Sequence, residues 1–169
     1  GFLARKETYK NMVKILWIVN SALGPVGEKI YGKRGNGLWM EALLEKFLEQ
    51  DDYRLVVATT AAISKTTLIE ENGIAYYVLG GGPPMLYNEN SDKNISAWSE
   101  LINKEKPDII QVWGTEFTHG LCALRCAPDI PSIIYVQGYL GSIARYYLAG
   151  ISYGQLFHNI TFRDILKRD

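Results

Sequence analysis

Short apolar runs recur along the chain, and most of them stop at a polar residue or at glycine. A run that is apolar without alternation is typical of a strand buried on both faces of a parallel sheet. β-Branched and aromatic residues, which favour strands, supply much of each run. The pattern predicts strands at Lys14–Asn20, Tyr53–Thr60, Ile74–Leu79, Ile109–Trp113 and Ser132–Val136.

Between these runs, apolar residues recur at helical spacing. After the first strand, Met40, Leu44 and Phe47 fall on one stripe of a helix. Gly73 is of the residue type that commonly ends a helix, and Pro107 forces the chain out of one. The spacing predicts helices at Leu38–Gln50, Lys65–Asn72, Asn94–Lys106, Thr118–Cys126, Tyr139–Leu148 and Tyr153–Lys167.

Two glycine-rich segments are predicted to be loops. The first runs from Gly24 to Gly37 and joins the first strand to the following helix. The second begins at Gly80 and continues through polar residues to Lys93, and its glycines and prolines cannot continue either regular structure. Long loops in compact domains often carry function, so both segments are candidate sites.

Strands that alternate with helices predict the α/β fold class, with a doubly wound, mainly parallel sheet and helices on both faces. Residues 12–169 are enough for a single domain. Residues 1–11 lack an apolar signal core and are expected to be a tail or cloning remnant ahead of a start at Met12. Ligands of such sheets bind at the carboxyl ends of the strands. The corresponding positions follow Val19, Leu79, Val112 and Val136.

The charge and composition exclude several classes of protein. Eighteen basic residues balance eighteen acidic ones, so we expect no nucleic-acid partner. The apolar runs are far shorter than the roughly 20 residues that span a bilayer. Cys122 and Cys126 have no further ligands at zinc spacing, which predicts buried, reduced thiols and no metal site. A cytoplasmic location is the default expectation, and peripheral contact with the inner face of the membrane stays open.

The glycine loop after the first strand is the strongest local indication of a ligand. Glycines let the backbone close on a phosphate, and the following helix offers unpaired N–H groups. The order Gly32, Gly35, Gly37 differs from the dinucleotide pattern, and no acidic residue closes the second strand to hold a ribose. A dinucleotide-dependent oxidoreductase is therefore disfavoured. The alternative for these glycines is a flexible turn without a ligand.

The fourth predicted strand leads into residues that can bind a ligand. Glu116 and His119 place a carboxylate and an imidazole near the strand end, where either can hydrogen-bond a sugar hydroxyl. The alternative is that Glu116 is a solvated loop residue. His119 would then be packed in the first helical turn behind the cap residue Thr118.

The last predicted strand leads into a second candidate group. Gln137 offers an amide that donates and accepts, and Gly138 allows close backbone approach. Tyr139 opens an aromatic-rich stretch that ends at Phe162. Such a stretch suits an acceptor channel or a lipid-facing surface, and equally a core or a face that meets another domain.

Taken in order, these segments resemble the amino-terminal domain of the family 4 glycosyltransferases of the GT-B fold. That domain has a strand, a glycine loop and a helix with an early glutamate, matched here by KILWIVN and by GNGLWMEALL with its Glu41. YRLVVATT, KPDIIQVWG and IPSIIYVQG follow in the family's order and spacing. The resemblance runs from about Val13 to about Ala149.

The resemblance implies the Rossmann-like half of an enzyme that moves a sugar, with retention, from a nucleotide-sugar donor to a saccharide or lipid-linked acceptor. It implies no catalytic metal and no cofactor besides the nucleotide-sugar substrate. This half would mainly bind the acceptor, and a carboxyl-terminal domain absent from this chain would bind the donor nucleotide. The chain alone is then expected to be inactive.

By the same resemblance, Gly35, Asn36 and Gly37 would face the donor diphosphate. The residues implied in acceptor binding are Trp113, Glu116, His119, Gln137, Gly138 and Tyr139. Members of the family often carry histidine at the places of Trp113 and Gln137, so no titrating role is implied at Gln137, and no residue of this chain is assigned to catalysis. A self-contained, non-catalytic Rossmann-like binding module is the alternative function.

Overall fold

The computed structural model describes residues 12–33, 38–138 and 150–158. The chain divides into two compact units, residues 1–137 and residues 138–169. The elements in chain order are β1 (Val13–Val19), α1 (Val26–Tyr31), α2 (Leu38–Leu48), β2 (Tyr53–Thr60), β3 (Thr67–Glu71), β4 (Ile74–Leu79), a 3₁₀ turn (Pro84–Leu86), α3 (Asp92–Glu105), β5 (Ile109–Trp113), α4 (His119–Arg125), β6 (Ser132–Tyr135) and α5 (Tyr153–His158).

The first unit is built on a six-stranded sheet with the order β3-β4-β2-β1-β5-β6. β1 pairs in parallel with β2 and with β5, and the outer pairs β2–β4 and β5–β6 are also parallel. β3 pairs antiparallel with β4. The chain first builds the sheet outward on one side of β1 and then on the other. The strand order therefore reverses between β1 and β5.

Helices cover both faces of this sheet. Ile15 and Trp17 of β1 pack in one core with residues of α1 and α2. Leu16 and Ile18 pack in a second core with residues of α3 and α4. Two cores form because successive side chains of a strand point to opposite faces. The predicted α/β class and the mainly parallel sheet are confirmed.

The helix predicted at Lys65–Asn72 is wrong, because this segment contains β3 and the turn that joins it to β4. Asn72 and Gly73 have φ angles of 51° and 81°. Positive φ at both central residues defines the type I′ hairpin turn, for which Asn-Gly is the preferred pair. Gly73 therefore closes a hairpin and does not end a helix. The sheet gains a sixth strand that the apolar runs had not predicted.

The loop predicted from Gly24 to Gly37 also contains regular structure, the short helix α1. The helix follows Pro25, whose φ of −71° suits a helix start, and it ends at Gly32. Val26 is buried in the core beside β1. Packing therefore holds a helix in a segment whose glycine content favours a loop.

In the second unit, the structure describes the helix α5. Ser152 and Gln155 cap its start reciprocally: the Gln155 N–H donates to Ser152 Oγ over 3.3 Å, and the Ser152 N–H donates to Gln155 Oε1 over 3.0 Å. The helix predicted at Tyr153–Lys167 is thus confirmed over Tyr153–His158. The helix predicted at Tyr139–Leu148 lies outside the described residues.

Two expectations from composition bear on the fold. Both cysteines are free thiols, and Cys122 is buried whereas Cys126 is half-buried. Burial raises the pKa of the Cys122 thiol to about 11, which leaves it protonated at neutral pH. Within the described ranges, no helix has both the length and the apolar character needed to cross a membrane.

Candidate ligand site at the carboxyl edge of the sheet

The strand order reverses between β1 and β5, and open α/β sheets bind ligands at the carboxyl ends of the strands beside such a reversal. Asn20 follows β1 directly, and Glu116 lies in the loop after β5. The Asn20 Nδ2–H donates to Glu116 Oε2 over 2.8 Å, across 96 residues of sequence. The Glu116 side chain is exposed. One carboxylate is thus fixed at the predicted ligand edge and open to solvent.

Gly114 makes this arrangement possible. Its φ of +104° is rarely adopted by residues with a side chain. A Cβ atom on it would lie 2.2 Å from Glu116 Oε2 and 2.4 Å from Asn20 Nδ2. The Gly114 N–H also donates to the Tyr135 carbonyl of β6 over 3.0 Å. The glycine therefore both ends β5 and lets the polar pair lie directly over the backbone.

His119 does not lie on the surface, since it is 1% exposed. Its Nε2 lies 3.2 Å from the Val19 carbonyl, the last carbonyl of β1. Burial lowers the pKa of His119 to about 4, although the hydrogen bond to Val19 acts in the opposite direction. The imidazole is therefore neutral at pH 7, and Nε2–H is the donor. This geometry fits the packed interpretation of His119, in which it ties α4 to the end of β1.

The loop after β1 is held by Glu41, the early glutamate of α2. Its Oε1 accepts the Gly24 N–H over 2.9 Å. This contact fixes the start of α2 beside the end of β1. The predicted phosphate-binding residues Gly35, Asn36 and Gly37 lie outside the described residues.

Trp113, the last residue of β5, is buried and belongs to an aromatic cluster that also contains Trp39 and Tyr135. Its indole stacks on the Tyr135 ring with centroids 3.9 Å apart and an interplanar angle of 7°. Trp39 meets it edge to face at 5.7 Å. Trp39 and Tyr135 are both exposed. The cluster therefore presents aromatic surface at the same edge of the sheet as the polar pair.

The remaining predicted acceptor residues follow β6. Gln137 is exposed just beyond the strand, and because β6 runs parallel to β5 it lies at the carboxyl edge. Gly138 is half-buried and is the first residue of the second unit. Tyr139 lies outside the described residues. The structure thus gathers Trp113, Glu116 and His119 around the end of β5.

Asn20 was not among the predicted site residues, although one feature of the sequence points to it. It is the polar residue at which the otherwise apolar first strand ends. Its partner could not be read from the sequence, because the contact with Glu116 depends on the pairing of β1 with β5.

A surface cavity of about 330 Å³ opens at the opposite edge of the sheet. It is lined by Arg54, Glu70, Gly73, Ile74 and Ala75. These residues surround the start of β2 and the β3–β4 turn, so the cavity contains none of the predicted site residues. Across residues 12–33, 38–138 and 150–158, no group of three or more His, Cys, Asp or Glu side chains is arranged to hold a metal ion.

Comparison with protein-family models, with curated proteins and with solved structures finds no match to this chain. Its function has therefore to be inferred from the residues at the carboxyl edge of the sheet and from the order of its strands.

Proposed function

We propose that this chain is the acceptor-binding half of a retaining glycosyltransferase, which moves a sugar from a nucleotide-sugar donor to a saccharide or lipid-linked acceptor. In this proposal the sheet is the doubly wound, Rossmann-like half of a GT-B fold, and a second domain of the same protein binds the donor nucleotide. The observation that carries the proposal is the Asn20–Glu116 pair at the reversal of strand order.

The chemistry of this pair suits a hydroxyl-bearing ligand. A carboxylate offers about four lone-pair sites, and Asn20 engages one oxygen of Glu116. The exposed carboxylate can therefore also accept hydrogen bonds from sugar hydroxyls, and such charge-assisted bonds are about twice as strong as neutral ones. Because Asn20 and Gly114 fix its position, little side-chain entropy is lost when a ligand binds.

Other residues take supporting roles in the proposal. His119 holds the end of β1 through the Val19 carbonyl and so positions Asn20. Gln137, exposed just beyond β6, is a further candidate acceptor-binding residue. A lipid-linked acceptor would bring the enzyme to the inner face of the membrane.

The test measures the binding of maltose, cellobiose and methyl mannoside to the purified chain by saturation-transfer NMR. We expect weak binding that Glu116→Gln reduces about tenfold, the equivalent of about 1.4 kcal/mol. The matched control is Glu45→Gln, which changes an exposed glutamate on α2 and should leave binding unchanged. Thermal unfolding of both variants checks that the fold is intact.

Two results would contradict the proposal. The first is failure of every saccharide to bind, which would favour the non-catalytic binding module. The second is steady release of nucleoside diphosphate from a sugar nucleotide by this chain alone, because the proposed active site needs a second domain.

A further inference from the structure

The aromatic cluster of Trp39, Trp113 and Tyr135 is a rigid feature of the carboxyl edge. Trp113 is 7% exposed, stacks on Tyr135 and also meets the buried Trp17 edge to face at 5.2 Å. Trp39 then packs against Trp113 from the start of α2. The rings of Trp39 and Tyr135 are therefore both held in place by contact with the buried ring of Trp113.

The outer rings are nevertheless open to solvent, since Trp39 is 53% and Tyr135 is 37% exposed. A single exposed aromatic residue is unremarkable on a protein surface. Two exposed rings fixed against the same buried indole form a preformed apolar surface, which is the kind of surface that marks a binding site.

This apolar surface adjoins the polar pair through a single residue. Gly114 donates its N–H to the Tyr135 carbonyl, and the Asn20–Glu116 pair lies over the same glycine. Aromatic rings beside a few fixed polar groups suit a ligand with an apolar face and a polar rim. A pyranose ring has this character, because its C–H bonds form an apolar face and its hydroxyls surround it.

We propose that a pyranose ring of the acceptor stacks on Trp39, that Tyr135, whose ring is inclined to that of Trp39, forms the side wall of the subsite, and that hydroxyls of the same pyranose bind Glu116. This inference rests on the proposed function and specifies part of its acceptor site. Trp113 is a positioning residue that fixes the two rings. Trp39 and Tyr135 then determine specificity, because a sugar whose axial hydroxyls interrupt the apolar face stacks less well.

The experiment is a titration of this chain with cellobiose and maltose, followed through the indole N–H signals of its tryptophans by two-dimensional NMR. The signals of Trp39 and Trp113 should shift, and that of Trp98, buried in the other core, should not. The Trp113 Nε1–H is a sensitive reporter, because it is buried and has no hydrogen-bond partner in the part of the chain that the structure describes.

Three variants sharpen the test. Trp39→Ala should weaken cellobiose binding about tenfold, in keeping with the value of an aromatic contact, and Trp39→Phe should restore most of it. Tyr53→Ala is the matched control, since Tyr53 is an exposed aromatic residue at the amino end of β2. It should leave the dissociation constant unchanged.

The outcomes separate this inference from the proposed function. If saccharides bind and Glu116→Gln weakens their binding while Trp39→Ala and Tyr135→Ala do not, the stacking proposal is wrong and the proposed function stands. If no saccharide binds, the stacking proposal and the proposed function are both wrong. If octyl glucoside binds through Trp39 while glucose does not, the occupant is an alkyl chain. If Trp39→Ala dissociates a dimer in sedimentation, the occupant is a second copy. Either of the last two results overturns the stacking proposal.

Discussion

The two ends of β1 each hold a glutamate from a distant part of the chain, and they do so in opposite ways. At the amino end, Glu105 is buried and accepts from the Tyr77 hydroxyl over 2.5 Å and from Lys14 Nζ over 3.4 Å. At the carboxyl end, Glu116 is exposed and accepts from Asn20 over 2.8 Å. The same strand thus ends in a closed polar network on one side and an open polar pair on the other.

This difference separates a structural carboxylate from one available to a ligand. Burial by itself raises the pKa of Glu105, but the Tyr77 hydrogen bond and the Lys14 charge outweigh it and leave the pKa below its usual value. Both of its oxygens are engaged within the fold. Glu116 is fixed by one oxygen and stays accessible. Burial and completeness of hydrogen bonding therefore distinguish the two glutamates, whereas residue type does not.

The largest expected effect comes from removing the buried carboxylate. Glu105→Ala leaves the Tyr77 hydroxyl without its acceptor and Lys14 Nζ with only the Glu105 main-chain carbonyl, and it should lower the free energy of unfolding by about 3 kcal/mol. Glu116→Ala should change it by less than about 0.5 kcal/mol. Urea unfolding of the two variants measures the contrast. Equal losses at the two ends would remove the distinction between them.

A pH titration examines His119 at the carboxyl end. Its folded pKa of about 4 lies below the ordinary value of 6.5, so the unfolded state binds more protons between these values. Its contribution to stability is complete above about pH 6.5 and is lost as the pH falls to about 4. Between about pH 7 and about pH 4.5 the loss should be about 2 kcal/mol.

The reference for this titration is His119→Asn, which lacks the titrating imidazole and keeps the carboxylates. The difference between the two pH curves of stability therefore removes the contribution of the carboxylates. The wild-type stability should fall more steeply on acidification than that of the variant. Parallel pH curves would mean that His119 is solvated in solution and is not the neutral link between α4 and β1.

A smaller effect is expected from Gly114→Ala, which tests the backbone under the polar pair. The positive φ should cost about 1–2 kcal/mol of stability. Gly73→Ala is matched, since its φ is +81° and a Cβ there would have no neighbour within 4 Å. Both should lose similar stability in thermal unfolding, but Gly114→Ala alone should also weaken saccharide binding. Equal binding by the two variants would show that the pair does not need its place over Gly114.

The smallest effect is expected from Asn20→Asp, which puts a second negative charge beside Glu116. At an exposed site this repulsion should cost roughly 0.5 kcal/mol, and salt should screen it. Melting temperatures of the wild type and the variant at low and at about 0.5 M salt measure the effect. A loss of thermal stability that salt does not reduce would mean that Asn20 and Glu116 are shielded from solvent, as Glu105 is at the amino end of β1.

The sequence predicts the parts of the fold that depend on local pattern. β2, β4 and β5 have the predicted bounds, because each is a continuous apolar run between clear breaks. β3 was missed because Leu68, Ile69 and the following glutamates fit a helix as well as a strand, and the left-handed turn at Gly73 decides between them.

The candidate site is predicted less completely, because its contacts are not local. The position of Glu116 after a strand end indicates a ligand edge, but its pairing with Asn20 depends on the strand order. The burial of His119 depends on how α4 packs against β1, so the sequence leaves both of its interpretations open. In the sequence, Trp39 is one more residue of the helix predicted at Leu38–Gln50, and its contact with Trp113 is known only from the structure.

The β3–β4 hairpin has a consequence for the order in which this sheet forms. Its strands are joined by a two-residue turn, and hairpins of this kind form in roughly 1–10 μs. The pairing of β1 with β5, which brings Asn20 and Glu116 together across 96 residues, has to close a long loop first. We therefore expect the ligand edge to assemble late in folding. In pulse-labelling hydrogen exchange, the amides of Tyr76 and Val78 should gain protection before those of Ile18 and Gln111, which lie between β1 and β5.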